Sequence, residues 1–208
     1  RHCAQEGGPE TAISWPNDVV ALPDDPAAVP AVPGWAGTRK IAGVLSELVM
    51  PEAAAGGTAR VLVPGTVPAD RDEAPMVILG VGVNIGQAAE ELPVPWAGSL
   101  RTLGAVGAGR GPALTDAAES VLMAIGHQLA RLVGQWEEVG GNVDASGGAL
   151  GHRLREALTT LGKQVSVQAP DGEIGGLAVD VTPALVLRTQ AGDTEVRAGD
   201  VTLVRMEG

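Results

Sequence analysis

The chain is organised around Arg39-Lys40-Ile41-Ala42-Gly43-Val44-Leu45-Ser46-Glu47-Leu48, where a basic pair is followed directly by apolar and small residues. The Ile, Val and Leu residues favour a β-strand, and Gly43 would let another group approach the backbone closely. We therefore predict a strand over residues 41–50, ended by Pro51. A lysine at the start of such a strand can aim its ammonium into a cleft and stabilise negative charge, although a solvent-exposed lysine is the plainer interpretation.

Two further blocks carry candidate site residues. Upstream, Trp15-Pro16-Asn17-Asp18 ends a short strand predicted over residues 12–15. Its aspartate could bind a metal, position a substrate or form an ordinary turn. Downstream, residues 75–84 are nearly all apolar, which predicts a central strand buried on both faces. Asn84 at its end could offer its amide to a ligand, or it could form a turn.

Composition limits the class of protein. The chain has 208 residues, 45% of them hydrophobic, which allows one sizeable core and a small second domain. No apolar run reaches the ~18 residues that suggest a membrane span, and no signal peptide is expected. The formal net charge of −11 disfavours general nucleic-acid binding. A single cysteine, Cys3, excludes an internal disulfide and fits a reducing cytoplasm, and three scattered histidines offer no metal-ligand spacing.

The segments outside the three blocks and the helices are predicted mainly from proline and glycine, which favour turns and loops. Residues 1–11 are predicted to be irregular, residues 60–63 to form a short strand, and the Pro-rich stretch 23–38 to be an exposed loop inserted in a hairpin. The Gly-rich segment 104–111 could cradle phosphate, but it lacks a preceding strand and is better explained as a flexible connector within a loop region over 86–112.

Helical periodicity then dominates. Apolar residues recur at helical spacing over 116–136, with Asp116 and Glu119 as a capped start and Gly140-Gly141 as the end. A second, short helix is predicted over 150–158.

From Lys163 onward, short alternating runs separated by turn residues predict a small β domain. Its five strands are expected at 164–168, 174–181, 185–188, 195–197 and 201–204, arranged as a small barrel or sandwich. The chain is thus predicted to be α+β. A domain of mixed helices and strands is expected over residues 1–158, and a compact β domain over 159–208.

Taken together and in this order, the three blocks resemble the biotin–protein ligase family, the biotin–[acetyl-CoA-carboxylase] ligases. The ending Gly199-Asp200-Val201-Thr202-Leu203-Val204-Arg205 also resembles the last strand of that family's SH3-like C-terminal domain. The resemblance implies a class II synthetase-like catalytic domain followed by an SH3-like barrel. It also implies an enzyme that uses ATP with Mg²⁺ to convert biotin to biotinyl-AMP. The biotin would then be transferred to a lysine of the biotin carboxyl carrier protein of an acetyl-CoA or acyl-CoA carboxylase.

Residue roles follow from the resemblance. Lys40 corresponds to the lysine that contacts the biotin carboxylate and the α-phosphate, and Asp18 to the aspartate that places the acceptor lysine. Asn17 lies beside it in the same block and is assigned to the biotin site together with Gly43, where the backbone meets biotin. Asn84 corresponds to an asparagine that contacts the nucleotide. No metal-binding residues and no DNA-binding role are expected.

The sequence departs from the family pattern in two places. Only fourteen residues precede Trp15, and none of them resembles the family's Gly-Arg-Gly-Arg loop, so the first part of the catalytic domain is expected to be missing. The connection between Asp18 and Lys40 is also longer than usual, and the stretch 23–38 is the expected insertion.

Two alternatives therefore stay open: a truncated, non-catalytic module that binds the carrier protein, and a lipoate or octanoate ligase on the same fold.

Overall fold

The computed structural model describes residues 9–22, 32–35, 37–50, 75–106, 111–144, 147–170, 172–182, 184–197 and 199–203. The predicted strand at 60–63 and most of the Pro-rich stretch, residues 23–31, lie outside these residues, as do residues 107–110 of the Gly-rich segment. None of the described helices is long and apolar enough to cross a membrane.

The first sheet has four strands in the order β1-β2-β3-β4: β1 Glu10–Ser14, β2 Asp18–Leu22, β3 Arg39–Val49 and β4 Met76–Val83. β1 pairs antiparallel with β2, and β2 pairs antiparallel with β3. The strand predicted at 41–50 is confirmed, and the 23–38 connection does join two hairpin strands. The irregular segment was predicted to extend to residue 11, which is wrong for its last two residues. Strand β1 already begins at Glu10, which lies opposite Leu22.

The prediction that β4 is buried on both faces is wrong. Met76, Val77, Ile78 and Leu79 each expose 44–58% of their surface. Because successive side chains of a strand point to opposite faces, four consecutive exposed residues mean that both faces are uncovered. The apolar pattern reports which residues favour burial, but no described element covers either face of this strand.

Helix α1 spans Pro112–Glu138. The predicted capped start at Asp116 is wrong, since the helix begins four residues earlier with a proline in its first turn, a position where the missing N–H costs nothing. The predicted end is confirmed: Gly140 and Gly141 follow with φ of 60° and 78°. No residue of α1 is buried, and five apolar side chains expose 37–69% of their surface: Leu122, Met123, Leu129, Val133 and Trp136.

The C-terminal part matches the prediction more closely. Helix α2 spans Ala149–Ala157, and five antiparallel strands follow in the order β8-β7-β6-β5-β9. They are β5 Gln164–Ala169, β6 Gly172–Thr182, β7 Ala184–Thr189, β8 Gly192–Val196 and β9 Asp200–Leu203. Among the described residues β8 and β9 are the two edges of this sheet, so its strand pairing does not close into a barrel.

The core lies on one face of this second sheet. Alternate residues of β5 and β7 point inward, and Val165, Val167, Leu185 and Leu187 are all buried. Trp15, from the turn between β1 and β2, packs into the same cluster. Its backbone N–H donates to Thr160 Oγ1 at 3.1 Å in a buried hydrogen bond. The Trp-Pro turn is therefore anchored on the second sheet.

Two compact units are distinguished by their internal contacts. One comprises Arg1–Gly43 with Val83–Gly208, and the other comprises Val44–Gly82. The boundary between residues 158 and 159, drawn from the sequence, stays a prediction.

Candidate functional site

Lys40 and Asp18 form an ion pair, with Lys40 Nζ 2.5 Å from Asp18 Oδ1. The pairing register of β2 and β3 brings them together, because Asp18 lies opposite Gly43 and Val20 lies opposite Lys40. The register shifts between Val19 and Val20, an irregularity typical of a β-bulge, which changes the direction in which side chains point. The side chains expose 39% and 18% of their surface, so the pair is accessible to a ligand.

Gly43 lies directly against this pair. A Cβ atom at this position would be 3.6 Å from Lys40 Cε and 3.7 Å from both Lys40 Nζ and Asp18 Oδ1. These are ordinary van der Waals distances, so glycine here does not relieve a clash. It leaves open the surface beside the two charged groups, as the sequence suggested for a backbone approached by a ligand.

The rest of the Trp-Pro-Asn-Asp block splits between core and surface. Trp15 is buried, and the peptide bond to Pro16 is cis. Pro16 and Asn17 are exposed, and Asp18 is half-buried. The turn thus holds Asn17 and Asp18 at the surface while Trp15 fixes it to the core.

Asn84 lies just after β4 and is connected to Lys40 by hydrogen bonds through Gly98. Its Nδ2 donates to the carbonyl of Gly98 at 3.0 Å, and its own backbone N–H donates to Ile41 at 2.8 Å. The N–H of Gly98 in turn donates to the carbonyl of Lys40 at 2.8 Å. The side-chain amide therefore holds the segment beside Lys40, and its predicted contact with a nucleotide stays a prediction.

Residues 96–98, which sequence reasoning placed in a loop, are part of this site. Lys40 N–H donates to the carbonyl of Trp96 at 2.8 Å, and residues 40 and 97 form a parallel bridge. Gly98 is packed so closely that a Cβ would be 2.9 Å from Arg39 Cβ. No local pattern marks these residues as a strand. The tryptophan and the glycine were the only signals available.

An arginine held between two aspartates and one further lysine lie outside this site. Arg155 donates to Asp180 Oδ1 and to Asp144 Oδ1, each at 2.6 Å. Hydrogen bonding to Arg155 lowers the pKa of Asp180, and the two carboxylates together raise the pKa of Arg155. Burial lowers the pKa of Lys163, whose side chain lines a cleft of about 20 Å³ with Trp35, room for no more than a water molecule.

The described residues contain no group of three or more His, Cys, Asp or Glu side chains placed to hold a metal ion.

Comparison with known proteins gives one curated relative and several solved structures. The chain is 27% identical over 199 residues to the biotin–[acetyl-CoA-carboxylase] ligase of Mycobacterium tuberculosis, covering 94% of this chain and 54% of the relative. No family model matches the chain.

Solved structures that resemble the chain include those of the biotin protein ligase from Aquifex aeolicus. The apo form aligns with a TM-score of 0.57 at 19% identity, covering 94% of this chain and 65% of that one. The form in complex with biotin and ATP aligns with a TM-score of 0.55 at 18% identity, covering 94% and 62%.

The chain thus spans about half the length of the curated relative and under two thirds of the solved structures. The likeness nevertheless extends over 94% of this chain. The resemblance drawn from the three sequence blocks is confirmed, since the curated relative and the solved structures that the chain resembles are biotin–protein ligases.

Proposed function

We propose that this chain is an ATP-dependent biotin–protein ligase. It would activate biotin as biotinyl-AMP and transfer it to a lysine of a biotin carboxyl carrier protein in the cytoplasm. The observation that carries the proposal is the Lys40–Asp18 ion pair, held 2.5 Å apart beside the open surface of Gly43. Similarity to biotin–protein ligases supports biotin as the acid, and no feature of the described residues favours lipoate or octanoate.

In the first step, an oxygen of the biotin carboxylate attacks the α-phosphorus of ATP. A new P–O bond forms, the bond to the β-phosphate breaks, and pyrophosphate leaves. Two anions must meet, and the Lys40 ammonium would offset their repulsion and stabilise the charge that develops. Mg²⁺ would arrive on the ATP phosphates.

In the second step, the amine of the acceptor lysine attacks the acyl carbon of biotinyl-AMP. A C–N bond forms, the acyl C–O bond to phosphate breaks, AMP leaves and the amine loses a proton. Asp18 would place the incoming amine. Asp18 is already paired with Lys40, so the acceptor amine would share this carboxylate with Lys40. The groups that act in the two steps would therefore lie at the same place.

The finer architecture is part of the same proposal. The sheet of β5–β9 would correspond to the family's SH3-like C-terminal domain, beginning near residue 159. Asn17 and Gly43 would line the biotin site, and Asn84 would lie at the nucleotide.

The test separates the two steps. Biotin- and ATP-dependent pyrophosphate release reports the first, and labelling of a purified carrier protein reports the second. Lys40→Ala should reduce pyrophosphate release at least about 100-fold, the size seen when one preorganised electrostatic donor is removed. Asp18→Asn should reduce transfer to the carrier more than it reduces pyrophosphate release.

The chain supplies its own control, since Lys163 is its one other lysine. Lys163→Ala should leave both rates unchanged. Robust release from the Lys40→Ala variant would refute the role of Lys40. Absence of release from the unmodified chain, with carrier binding retained, would favour the non-catalytic alternative.

A further inference from the structure

Two tryptophans from distant parts of the chain stack beside Lys40. Trp35 lies at the end of the β2–β3 connection, and Trp96 lies in the segment after Asn84. Their ring centroids are 5.9 Å apart and their planes differ by 10°, so the rings are stacked and nearly parallel. Both side chains are half-buried. Aromatic pairs of this kind stabilise structure beyond the area they bury.

Each tryptophan is tied to the backbone near Lys40. On one side, the carbonyl of Trp35 accepts from Thr38 N at 3.0 Å and from Thr38 Oγ1 at 2.7 Å, which closes a turn one residue before β3 begins. On the other side, the carbonyl of Trp96 accepts from the N–H of Lys40. The stack therefore closes a loop of the chain: Trp35 is hydrogen-bonded to Thr38, the chain continues to Lys40, and Lys40 is hydrogen-bonded to Trp96, which stacks on Trp35.

We propose that the Trp35–Trp96 pair is a positioning device for Lys40. The ammonium sits on a flexible four-carbon stem, so its place beside Asp18 depends on how the backbone at residue 40 is held. Residues 96 and 98 engage both the N–H and the carbonyl of that residue. If the stack is lost, residues 96–98 are free to shift. The backbone of Lys40 is then no longer held in place, and the position of the ammonium changes with it.

The same contacts give a role to the connection that is longer than its family's pattern. The sequence predicted the 23–38 stretch only as an exposed loop and an insertion. Its described end, through Trp35, packs on the segment that brackets Lys40. The stack would therefore link the end of this connection to the position of Lys40.

The proposal rests on the function proposed above, and it predicts a particular kinetic signature. Misplacing a catalytic group by about 1 Å can cost about 100-fold in rate, while substrate binding elsewhere is little affected. Trp96→Leu and Trp35→Leu should each lower kcat for pyrophosphate release about tenfold and leave the KM for biotin within about twofold. The double variant should lose no more than the worse single one, because the two rings act as one device.

Conservative variants, a matched control and a spectroscopic measurement distinguish loss of the stack from loss of folding. Trp35→Phe and Trp96→Phe retain a stacking ring and should recover most of kcat. Trp136→Leu is the matched control, because this tryptophan is exposed at the end of α1 and its Nε1 donates to Gly141. That variant should leave kcat unchanged. Circular dichroism should show coupled indole bands that disappear in either single leucine variant and persist in Trp136→Leu.

A third readout needs no activity. Acylation by a small amine-reactive ester, resolved by mass spectrometry, compares the labelling rate of Lys40 in each variant with its rate in the unmodified chain. The leucine variants at 35 and 96 should label Lys40 at least about threefold faster, because its pairing with Asp18 is weakened. Unchanged labelling and unchanged kcat in variants that have lost the coupled bands would overturn the proposal. If the unmodified chain releases no pyrophosphate, the labelling result still decides it.

Discussion

Replacing Gly43 with alanine separates the fold from the site more cleanly than any change to a charged residue. The added Cβ would be 3.6 Å from Lys40 Cε and 3.7 Å from Asp18 Oδ1, which is ordinary contact without a clash. Removing a glycine from a strand also reduces the entropy of the unfolded chain. We therefore expect Gly43→Ala to raise the free energy of unfolding by about 0.5 kcal/mol or to leave it unchanged.

Catalysis should respond in the opposite direction. The methyl group fills the open surface beside the ion pair, so a substrate that approaches the backbone there must retreat by about the radius of a methyl group. A displacement of that size is expected to lower kcat/KM for biotin by about 10- to 100-fold. The fall should appear in pyrophosphate release and in direct binding of biotin measured by calorimetry.

The matched control is Gly126→Ala on α1, where no atom lies within 4 Å of the added Cβ. This change should stabilise the helix by up to about 1 kcal/mol and leave activity unchanged. If Gly43→Ala binds biotin and reacts as the unmodified chain does, the substrate does not approach that surface. If instead it unfolds, the strand is tighter than these distances indicate.

Three other outcomes follow from the described contacts. Gly98→Ala should lower the free energy of unfolding by about 1–3 kcal/mol in thermal denaturation, because its Cβ would lie 2.9 Å from Arg39 Cβ; wild-type stability would show that the segment yields easily. Arg155→Met should cost about 1 kcal/mol or less at neutral pH, since the pairs are partly exposed. Arg155 lowers the pKa of Asp180 in the folded state, so its contribution is present above the ordinary pKa of about 4 and is lost as pH falls through the lowered value. Denaturant titrations at pH 7 and pH 2.5 should therefore show a smaller pH dependence in the variant, and an equal dependence would count against the pairing. Ile78→Thr, at a side chain 49% exposed, should change stability by less than about 0.5 kcal/mol and reduce binding of a hydrophobic dye; a loss above 2 kcal/mol would mean that β4 is covered.

The local pattern was sufficient where an element's own residues determine it. The strands β5 to β9 were placed within a few residues, because alternating apolar residues and turn glycines such as Gly172 and Gly192 mark both their faces and their ends. The same holds for the end of α1, where Gly140 and Gly141 adopt positive φ. The start of α1 was misjudged because Asp116 resembles a cap, whereas Pro112 occupies the first turn.

The sequence by itself determined the resemblance to biotin–protein ligases, through the three blocks that contain Asp18, Lys40 and Asn84, and it predicted these residues as the site. Only the tertiary structure decided how these residues meet. The pairing of Lys40 with Asp18 depends on a bulged register between two strands, and the stack of Trp35 on Trp96 joins segments that no local period connects. The exposure of β4 could not be predicted from the sequence for the same reason. A run of apolar residues specifies a surface that favours burial, but the elements packed against it determine whether that surface is buried.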